Sequence, residues 1–390
     1  MSATAARYES LDLLRGIAIL GTLATNIWIF TNPEGFIGYL EDSTVAVTPA
    51  AWAAVESVLQ QLAQGKFLGL LTLLFGVGLE LQRRSAIKAG RAWPGRYPWR
   101  AAILLVDGIL HFVLVVEFDV LMGYAVTGMV VAYLLVTTER AQRIWMIVAA
   151  SLHLLLLTGL TAVVAMSSIS PNRQPLEPNP YADGTWFDLV IFRLDNVVIF
   201  RLEPVFITAL SIAMFLFGAF LVRRGVLEPA GRSLRRALMV IGAFAFVLDL
   251  TIGLAGDVAG LIFTRYGTAP LVAMGLLALV VEFVAARPRR GFVGRRVRDV
   301  GRTALSSYVL QNIIASVICY GWGFGLASQL DPVARVPATI LVYLIVVVLV
   351  SAASSLWLKR FDRGPVELTW LWSFSQITRA LDHAARNRAQ

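Results

Sequence analysis

The chain has 390 residues, of which 57% are hydrophobic and 15% are charged, and its formal net charge is +9. A mean hydropathy of +0.71, with long apolar runs from residue 11 to residue 358, argues against a soluble fold and predicts an all-α, polytopic membrane helix bundle. The single cysteine, Cys319, excludes an internal disulfide framework and a multi-cysteine metal site, and no metal is predicted.

About ten transmembrane spans are predicted, and the charged residues sort into the loops between them. The spans lie near 11–30, 62–82, 98–116, 119–137, 144–166, 203–222, 236–255, 267–286, 304–326 and 337–358. Basic residues cluster in every second loop, for example from Arg83 to Arg100 and from Arg287 to Arg302. The positive-inside rule makes these loops and both termini cytoplasmic. The same distribution argues against nucleic-acid binding and leaves the lipid bilayer as a partner.

The chain is predicted to be a single integral membrane domain over residues 1–390, with its first helix retained as an anchor. Residues 11–137 form an N-terminal four-helix part with the polar motifs, and residues 203–358 form a C-terminal six-helix part. Residues 167–202 hold an external loop and an interfacial helix, which either rests in the headgroups or covers a cavity as a lid. Residues 359–390 form a cytoplasmic tail.

The first span carries a polar stripe. Asp12, Arg15, Ile19, Thr22 and Asn26 recur at three- and four-residue steps and therefore share one helix face. Asp12 and Arg15 are predicted to pair near the cytoplasmic end. That pair is either a structural ion pair within the bundle or part of a polar site.

The second span begins with a lysine. Lys66 either snorkels to the interface or contributes to a site inside the bundle. Further along the same span, Gly76 and Gly78 are predicted to permit close contact with a neighbouring helix.

Three acidic residues and one histidine interrupt the apolar segment WRAAILLVDGILHFVLVVEFDVLMGYAV over Trp99–Val126. They are Asp107, His111, Glu117 and Asp119. Ionisable groups inside a bilayer are costly and usually mark a pathway or a site. Asp107 lies one helical turn before His111, so either it or Asp119 could orient the imidazole.

The ninth span begins with GRTALSSYVLQNI. Ser307, Tyr308, Gln311 and Asn312 place hydrogen-bonding groups in its inner half. These groups either join neighbouring helices by hydrogen bonds or line a polar passage, and the sequence favours neither.

Five motifs occur in the same order as in a known family. They are LDLLRGIAILGTLATNI, KFLGLLTLLFGVGLELQRR, GILHFVLVVEFDVLMGYAVTG, GRTALSSYVLQ and RGPVE, spread over residues 11–367. With this set the chain resembles the YeiB-like bacterial inner-membrane proteins, which carry a C-terminal domain of unknown function numbered 418. That family is grouped with transmembrane acyltransferases, whose lysosomal relative moves acetyl from cytosolic acetyl-CoA to a glucosamine amine on the far side.

The resemblance implies functional roles for the residues that match the motifs. The matching positions are Asp12, Arg15, Asn26, Lys66, Phe67, His111, Asp119, Tyr124, Gly301, Arg302, Tyr308, Gln311 and Glu367. Phe118 departs from the pattern, because the family usually has glycine before this aspartate. The local backbone before Asp119 is therefore expected to differ. Asp107 is not part of the family pattern.

The implied reaction is transfer of an acyl group, above all acetyl, from a cytosolic acyl-CoA to a small-molecule, glycan or lipid acceptor at or beyond the outer face. His111 would be the general base, because the ordinary pKa of imidazole is about 6.5, or would carry the acyl group itself. Asp107 or Asp119 would orient its ring. The residues expected to bind substrate or acyl-CoA are Asp12, Arg15, Asn26, Lys66, Tyr124, Arg302, Tyr308 and Gln311.

A transporter is the main alternative. Ten helices with buried Asp, His, Lys and Arg also fit a proton-coupled transporter or flippase of a small molecule or lipid-linked substrate. No convincing inverted repeat relates the two halves, which makes this function the less favoured one. Homo-oligomer formation stays open.

Overall fold

The computed structural model describes residues 3–41, 47–167, 175–255, 257–287 and 291–388. All regular secondary structure within these ranges is helical, as the hydropathy predicts. The α-helices are α1 (Ala3–Phe30), α2 (Gly35–Leu40), α3 (Ala50–Ala63), α4 (Lys66–Lys88), α5 (Tyr97–Leu114), α6 (Leu121–Leu134), α7 (Glu139–Met166), α8 (Trp186–Asp195), α9 (Val197–Phe206), α10 (Thr208–Arg223), α11 (Arg232–Gly253), α12 (Val258–Phe263), α13 (Ala269–Ala286), α14 (Phe292–Arg302), α15 (Ala304–Cys319), α16 (Leu326–Gln329), α17 (Pro332–Trp357) and α18 (Pro365–Arg388). A 3-10 turn spans Pro229–Gly231, and a π-helical turn spans Thr264–Thr268.

Within the described residues, seven helical segments are long and apolar enough to cross a membrane. They are Glu9–Phe30, Ala50–Lys88, Tyr97–Leu114, Glu139–Met166, Pro229–Gly253, Val258–Ala286 and Pro332–Trp357. The pair α9 and α10, bent by 42°, brings the number to eight. Helices α6 and α15 are shorter but apolar, and they coincide with the fourth and ninth predicted spans. The all-α multi-pass fold is thus confirmed, whereas the count of ten and the cytoplasmic termini stay predictions.

Helix α4 lies at the centre of the bundle and packs closely on α10. A Cβ atom on Gly76 would stand 2.2 Å from the carbonyl oxygen of Phe215, so only glycine permits this approach. A Cβ on Gly218 would likewise stand 2.4 Å from the carbonyl oxygen of Leu73. The predicted role of Gly76 is therefore confirmed. The same prediction for Gly78 is wrong, because no atom of the described residues lies within 4 Å of a Cβ at that position.

Basic residues converge at one end of the bundle, which we call the arginine-rich end. Glu80, with a fully buried side chain, accepts hydrogen bonds there from Arg83, Arg84 and Arg223. Helix α1 begins at the same end, where its residue Asp12 pairs with Arg15. Helices α1 and α4 run in opposite directions, so the end of α1 and the start of α4 meet at the other end of the bundle.

Candidate functional site

A cavity of about 250 Å³ lies at the end of the bundle opposite the arginine-rich end. Asn26 of α1 contributes to its wall and stands 14 residues after Asp12, which is about 21 Å along the helix axis. Gly65 and Leu68 also line it at the start of α4, whereas Lys88 ends that helix. The positive-inside rule therefore assigns the cavity to the predicted external side.

The cavity wall combines polar and aromatic side chains from both parts of the chain. Its polar members include Thr22, Thr25, Asn26, Tyr39, Gln60, Gln64, Asp119, Tyr124, Thr127, Glu203, Ser211, Arg265, Tyr266 and Tyr308, and its aromatic members also include Phe36, Phe118 and Phe200. An apolar pocket with a few convergent polar groups is the usual form of a small-molecule site.

His111 and Asp119 form a hydrogen-bonded pair behind this wall. Nδ1 of His111 donates to Oδ1 of Asp119 across 3.0 Å, and both residues are buried. The Asp119 Oδ2 atom accepts from the backbone amide of Met122 at 3.0 Å, which holds the carboxylate at the start of α6. Each carboxylate oxygen keeps a further lone pair, and Asp119 lines the cavity. Asp119 is therefore the member of the pair that borders the cavity, although its side chain is fully buried, and the imidazole is not part of the cavity wall.

Helix α15 supports the other side of the imidazole. The amide nitrogen of Asn312 lies 3.2 Å from Nε2 of His111, so this nitrogen accepts and the ring proton sits on Nδ1. The Tyr308 ring packs on the imidazole with centroids 4.9 Å apart. Tyr308 also lines the cavity, and its hydroxyl has no side-chain hydrogen-bond partner among the described residues.

The start of α15 is fixed by a residue from the RGPVE motif. Glu367 in the first turn of α18 accepts from the backbone amide of Leu305 at 2.7 Å and from that of Ser306 at 3.3 Å. The first amides of a helix lack partners within the helix, so a carboxylate placed there caps it. Glu367 thus positions the helix that carries Tyr308 and Asn312 and does not reach the cavity.

Asp119 lies on an irregular link between α5 and α6, over residues 115–120. Backbone groups of such a link need partners within the protein when it is buried at membrane depth. The guanidinium of Arg201 supplies them by donating to the carbonyl oxygens of Glu117 and Asp119. The same guanidinium lies 4.1 Å from the centre of the Phe112 ring.

The side chain of Glu117 anchors this link to the segment before α8. Its carboxylate accepts from Arg193 Nε at 3.2 Å and from the Tyr181 hydroxyl at 2.8 Å. All three side chains are buried. Helices α8 and α9 are therefore attached to the site, and Phe200 of α9 lines the cavity. Whether this segment acts as a lid stays a prediction.

A second polar cluster faces the cavity from the opposite part of the chain. Arg265 lies on the π-helical turn and donates to Glu203 Oε1 at 2.8 Å, and the hydroxyl of Tyr266 donates to the same oxygen at 2.8 Å. Glu203 is the residue before Pro204, close to the bend between α9 and α10. A π-helical turn within a helix often marks a functional site.

Four of the predicted site residues line the cavity: Asn26, Asp119, Tyr124 and Tyr308. His111 reaches it only through Asp119. Both ring nitrogens of His111 already have hydrogen-bond partners, which argues against its acting as an acyl carrier. Asp107 makes no hydrogen bond to the imidazole, and its Oδ2 is buried without a partner among the described residues. Of the two carboxylates proposed to orient the ring, Asp119 is the one in contact with it.

Lys66 does not snorkel, so that alternative is wrong. It is 3% exposed, and its Nζ pairs with Asp249 Oδ1 at 2.5 Å. Asp249 also accepts from Gln61 and Thr268, which completes a buried network beside the cavity. Lys66 itself is not part of the cavity wall.

The remaining predicted residues lie away from the cavity. Asp12 and Arg15 pair at 3.3 Å, but their side chains are 24% and 41% exposed, so this is not a fully buried pair. Arg302 donates to the carbonyl oxygen of Asp362 at the arginine-rich end. Gln311 is completely buried within the bundle and does not line the cavity.

Sequence reasoning missed Gln60, Glu203, Arg265 and Tyr266 in the cavity wall, and Asn312 behind it. The sequence could have indicated Arg265, because a charged residue inside an apolar segment often marks a functional site. The sequence identifies Asn312 only as one of several polar groups on its helix and does not predict its contact with His111. Among the described residues, no group of three or more His, Cys, Asp or Glu side chains is arranged to hold a metal ion.

The fold and the cavity together define a multi-pass helical membrane protein with a buried polar site. Residues 221–375 match the model of the family described as a protein of unknown function, DUF418. The chain is 29% identical over 391 residues to the uncharacterized protein YeiB of Escherichia coli (strain K12), with 94% of this chain and 95% of YeiB covered. It is 26% identical over 385 residues to the uncharacterized protein YxaH of Bacillus subtilis (strain 168), with 94% and 93% covered. No solved structure matches.

These matches agree with the family predicted from the motifs: residues 221–375 match the DUF418 model, and the chain is similar to YeiB and YxaH over nearly its whole length. The wider grouping with transmembrane acyltransferases stays a prediction.

Proposed function

We propose that this protein is an acyltransferase of the bacterial inner membrane that moves an acyl group from a cytosolic acyl-CoA to an acceptor bound in the cavity. The acceptor X–H loses its proton, the new acyl–X bond forms, the thioester bond breaks, and CoA leaves as a thiol. The acyl donor is a co-substrate, and acetyl-CoA is the first to test.

The His111–Asp119 pair at the cavity wall is the observation that supports this proposal. Acyl transfer needs a base beside the acceptor and a donor for the oxyanion that forms during attack. We assign the proton to Asp119, which borders the cavity with a fully buried side chain, while His111 and the Met122 amide fix the orientation of its carboxylate. We assign the donor for the oxyanion to Tyr308, which borders the cavity and whose buried hydroxyl has no side-chain hydrogen-bond partner among the described residues.

Arginines at the other end of the bundle suit the donor. The CoA nucleotide carries several phosphates, which guanidinium groups bind by bidentate hydrogen bonds. Arg15 has a side chain that is 41% exposed, and the guanidinium of Arg302 donates to a backbone carbonyl at an exposed position. Both arginines are therefore open to an anionic ligand.

The test is release of free CoA by the purified protein from acetyl-CoA in the presence of a pool of amino sugars. We expect Asp119→Asn to lower the rate by about a hundred- to ten-thousand-fold, the usual contribution of a general base. Asp107→Asn is the matched control. Asp107 also carries a carboxylate and lies on α5, the helix of His111, but it does not contact the His111–Asp119 pair. Equal loss in both variants would contradict a specific role of Asp119 as the base. Movement of a substrate across vesicles without any acyl donor would favour a transporter instead.

A further inference from the structure

A stripe of polar side chains follows one face from α14 into α15 at four-residue steps. It begins with Asp299, whose Oδ2 accepts from the Ser355 hydroxyl at 2.8 Å. The hydroxyl groups of Thr303, Ser307 and Ser354 lie 3.0 Å from one another and form a closed cluster. This cluster lies next to Arg302, at the arginine-rich end of the bundle.

Gln311 continues the stripe one helical turn after Ser307. The residue is 0% exposed, yet neither its amide nitrogen nor its carbonyl oxygen has a hydrogen-bond partner among the described residues. The next residue, Asn312, is also 0% exposed, and its Oδ1 is unpaired as well. Buried amides left without partners are costly, and folded proteins commonly satisfy them with internal water.

We propose that Gln311 and Asn312 hold internal water, and that this water joins the hydroxyl cluster to the His111–Asp119 pair. Asn312 already contacts Nε2 of His111 at 3.2 Å, so water at its free Oδ1 stands beside the imidazole. The proposed water site thus lies between the hydroxyl of Ser307 and the His111–Asp119 pair.

The water gives the pair a route for proton exchange with the arginine-rich end. Each step moves one proton between neighbouring oxygen or nitrogen atoms, and no other charge moves. This role rests on the proposed function, in which the acceptor loses a proton and the CoA thiolate gains one, so that the pair must exchange protons in each turnover. The water site itself depends only on the unpaired amides.

Gln311→Met tests the water site, because methionine keeps the length of the side chain and removes its hydrogen-bonding groups. If water satisfies the amide, the variant loses those bonds and its unfolding midpoint falls. If the amide is dry and unpaired, the variant removes a penalty and the midpoint rises, which overturns the proposal. A density map of the wild-type protein that resolves ordered solvent is the second measurement. Density within hydrogen-bonding distance of Gln311 supports the site, and its absence overturns it.

Proton flux into sealed vesicles tests the route without any acyl donor. With a pH-sensitive dye inside and a membrane potential applied, we expect flux through the wild-type protein and loss of most of it in Gln311→Met. Gln142→Met is the control, because Gln142 of α7 is also buried and lies away from the hydroxyl cluster, while its amide nitrogen, unlike that of Gln311, donates to the Thr137 carbonyl in the preceding turn. Equal flux in wild type and Gln311→Met overturns the route. Failure of acyl transfer with these results intact would reject only the proposed function.

Discussion

Nδ1 of His111 lies 3.0 Å from Oδ1 of Asp119, and only the aspartate belongs to the wall of the cavity. This arrangement reverses the roles expected from the sequence, where the histidine is the base and a carboxylate orients it. In the proposed reaction the carboxylate of Asp119 takes the proton of the acceptor, and the histidine positions that carboxylate.

Truncating His111 should destabilise the protein as well as inactivate it. His111→Ala leaves Asp119 Oδ1 and the Asn312 amide without partners, at a cost of about 1–3 kcal/mol for each buried group. His111→Gln keeps a donor near Asp119, so its loss of unfolding free energy should be smaller. Denaturant unfolding in mixed micelles measures both. If His111→Ala were as stable as wild type, the ring would not be hydrogen-bonded within the bundle.

The ion pairs Asp12–Arg15 and Glu117–Arg193 should contribute very differently to the free energy of unfolding. Asp12→Asn should cost at most about 1 kcal/mol, because its pair with Arg15 is part-exposed. Glu117→Gln should cost about 3–5 kcal/mol, because it leaves the Arg193 charge buried and uncompensated. The same chemical change is made in both variants, so their unfolding free energies compare directly. Equal costs would contradict the difference in burial.

Arg201 should not be replaceable by lysine. Its guanidinium bridges the carbonyl oxygens of Glu117 and Asp119 while it stacks on Phe112, and the single nitrogen of lysine cannot reproduce that geometry. We expect Arg201→Lys to lower both stability and release of CoA. Arg236→Lys, on an exposed position of α11, is the control and should change neither. Wild-type behaviour of Arg201→Lys would mean that the link holds its shape without this contact.

Cysteine labelling tests the predicted orientation. Glu177→Cys, before α8, should react with a membrane-impermeant reagent in intact cells, whereas Ala89→Cys, after α4, should react only after lysis. The native Cys319 is 1% exposed and should stay silent in both backgrounds. Asn172, at the centre of the predicted external loop, lies outside the described residues. The reverse labelling pattern would show that the protein has the opposite orientation in the membrane.

The sequence predicted the helical bundle because long apolar runs and clustered arginines record local requirements of the bilayer. The sequence also indicated His111 and Asp119, because ionisable residues are unusual within an apolar segment such as residues 99–126. It could not show that Asp119 faces the cavity, because that depends on the irregular link held by Arg201, which is distant in sequence. The burial of Lys66 escaped prediction for the same reason, because its partner Asp249 lies on a separate helix that is distant in sequence.

The most direct measurement uses vesicles that contain the protein, with labelled acetyl-CoA trapped inside and a pool of amino sugars outside. Protein oriented with its arginine-rich end inward should release labelled acyl product to the outside. Asp107→Asn should do the same, whereas Asp119→Asn should release almost none. Intact acetyl-CoA in the wild-type vesicles, together with acceptor that has crossed the membrane unmodified, would contradict acyl transfer and identify a transporter.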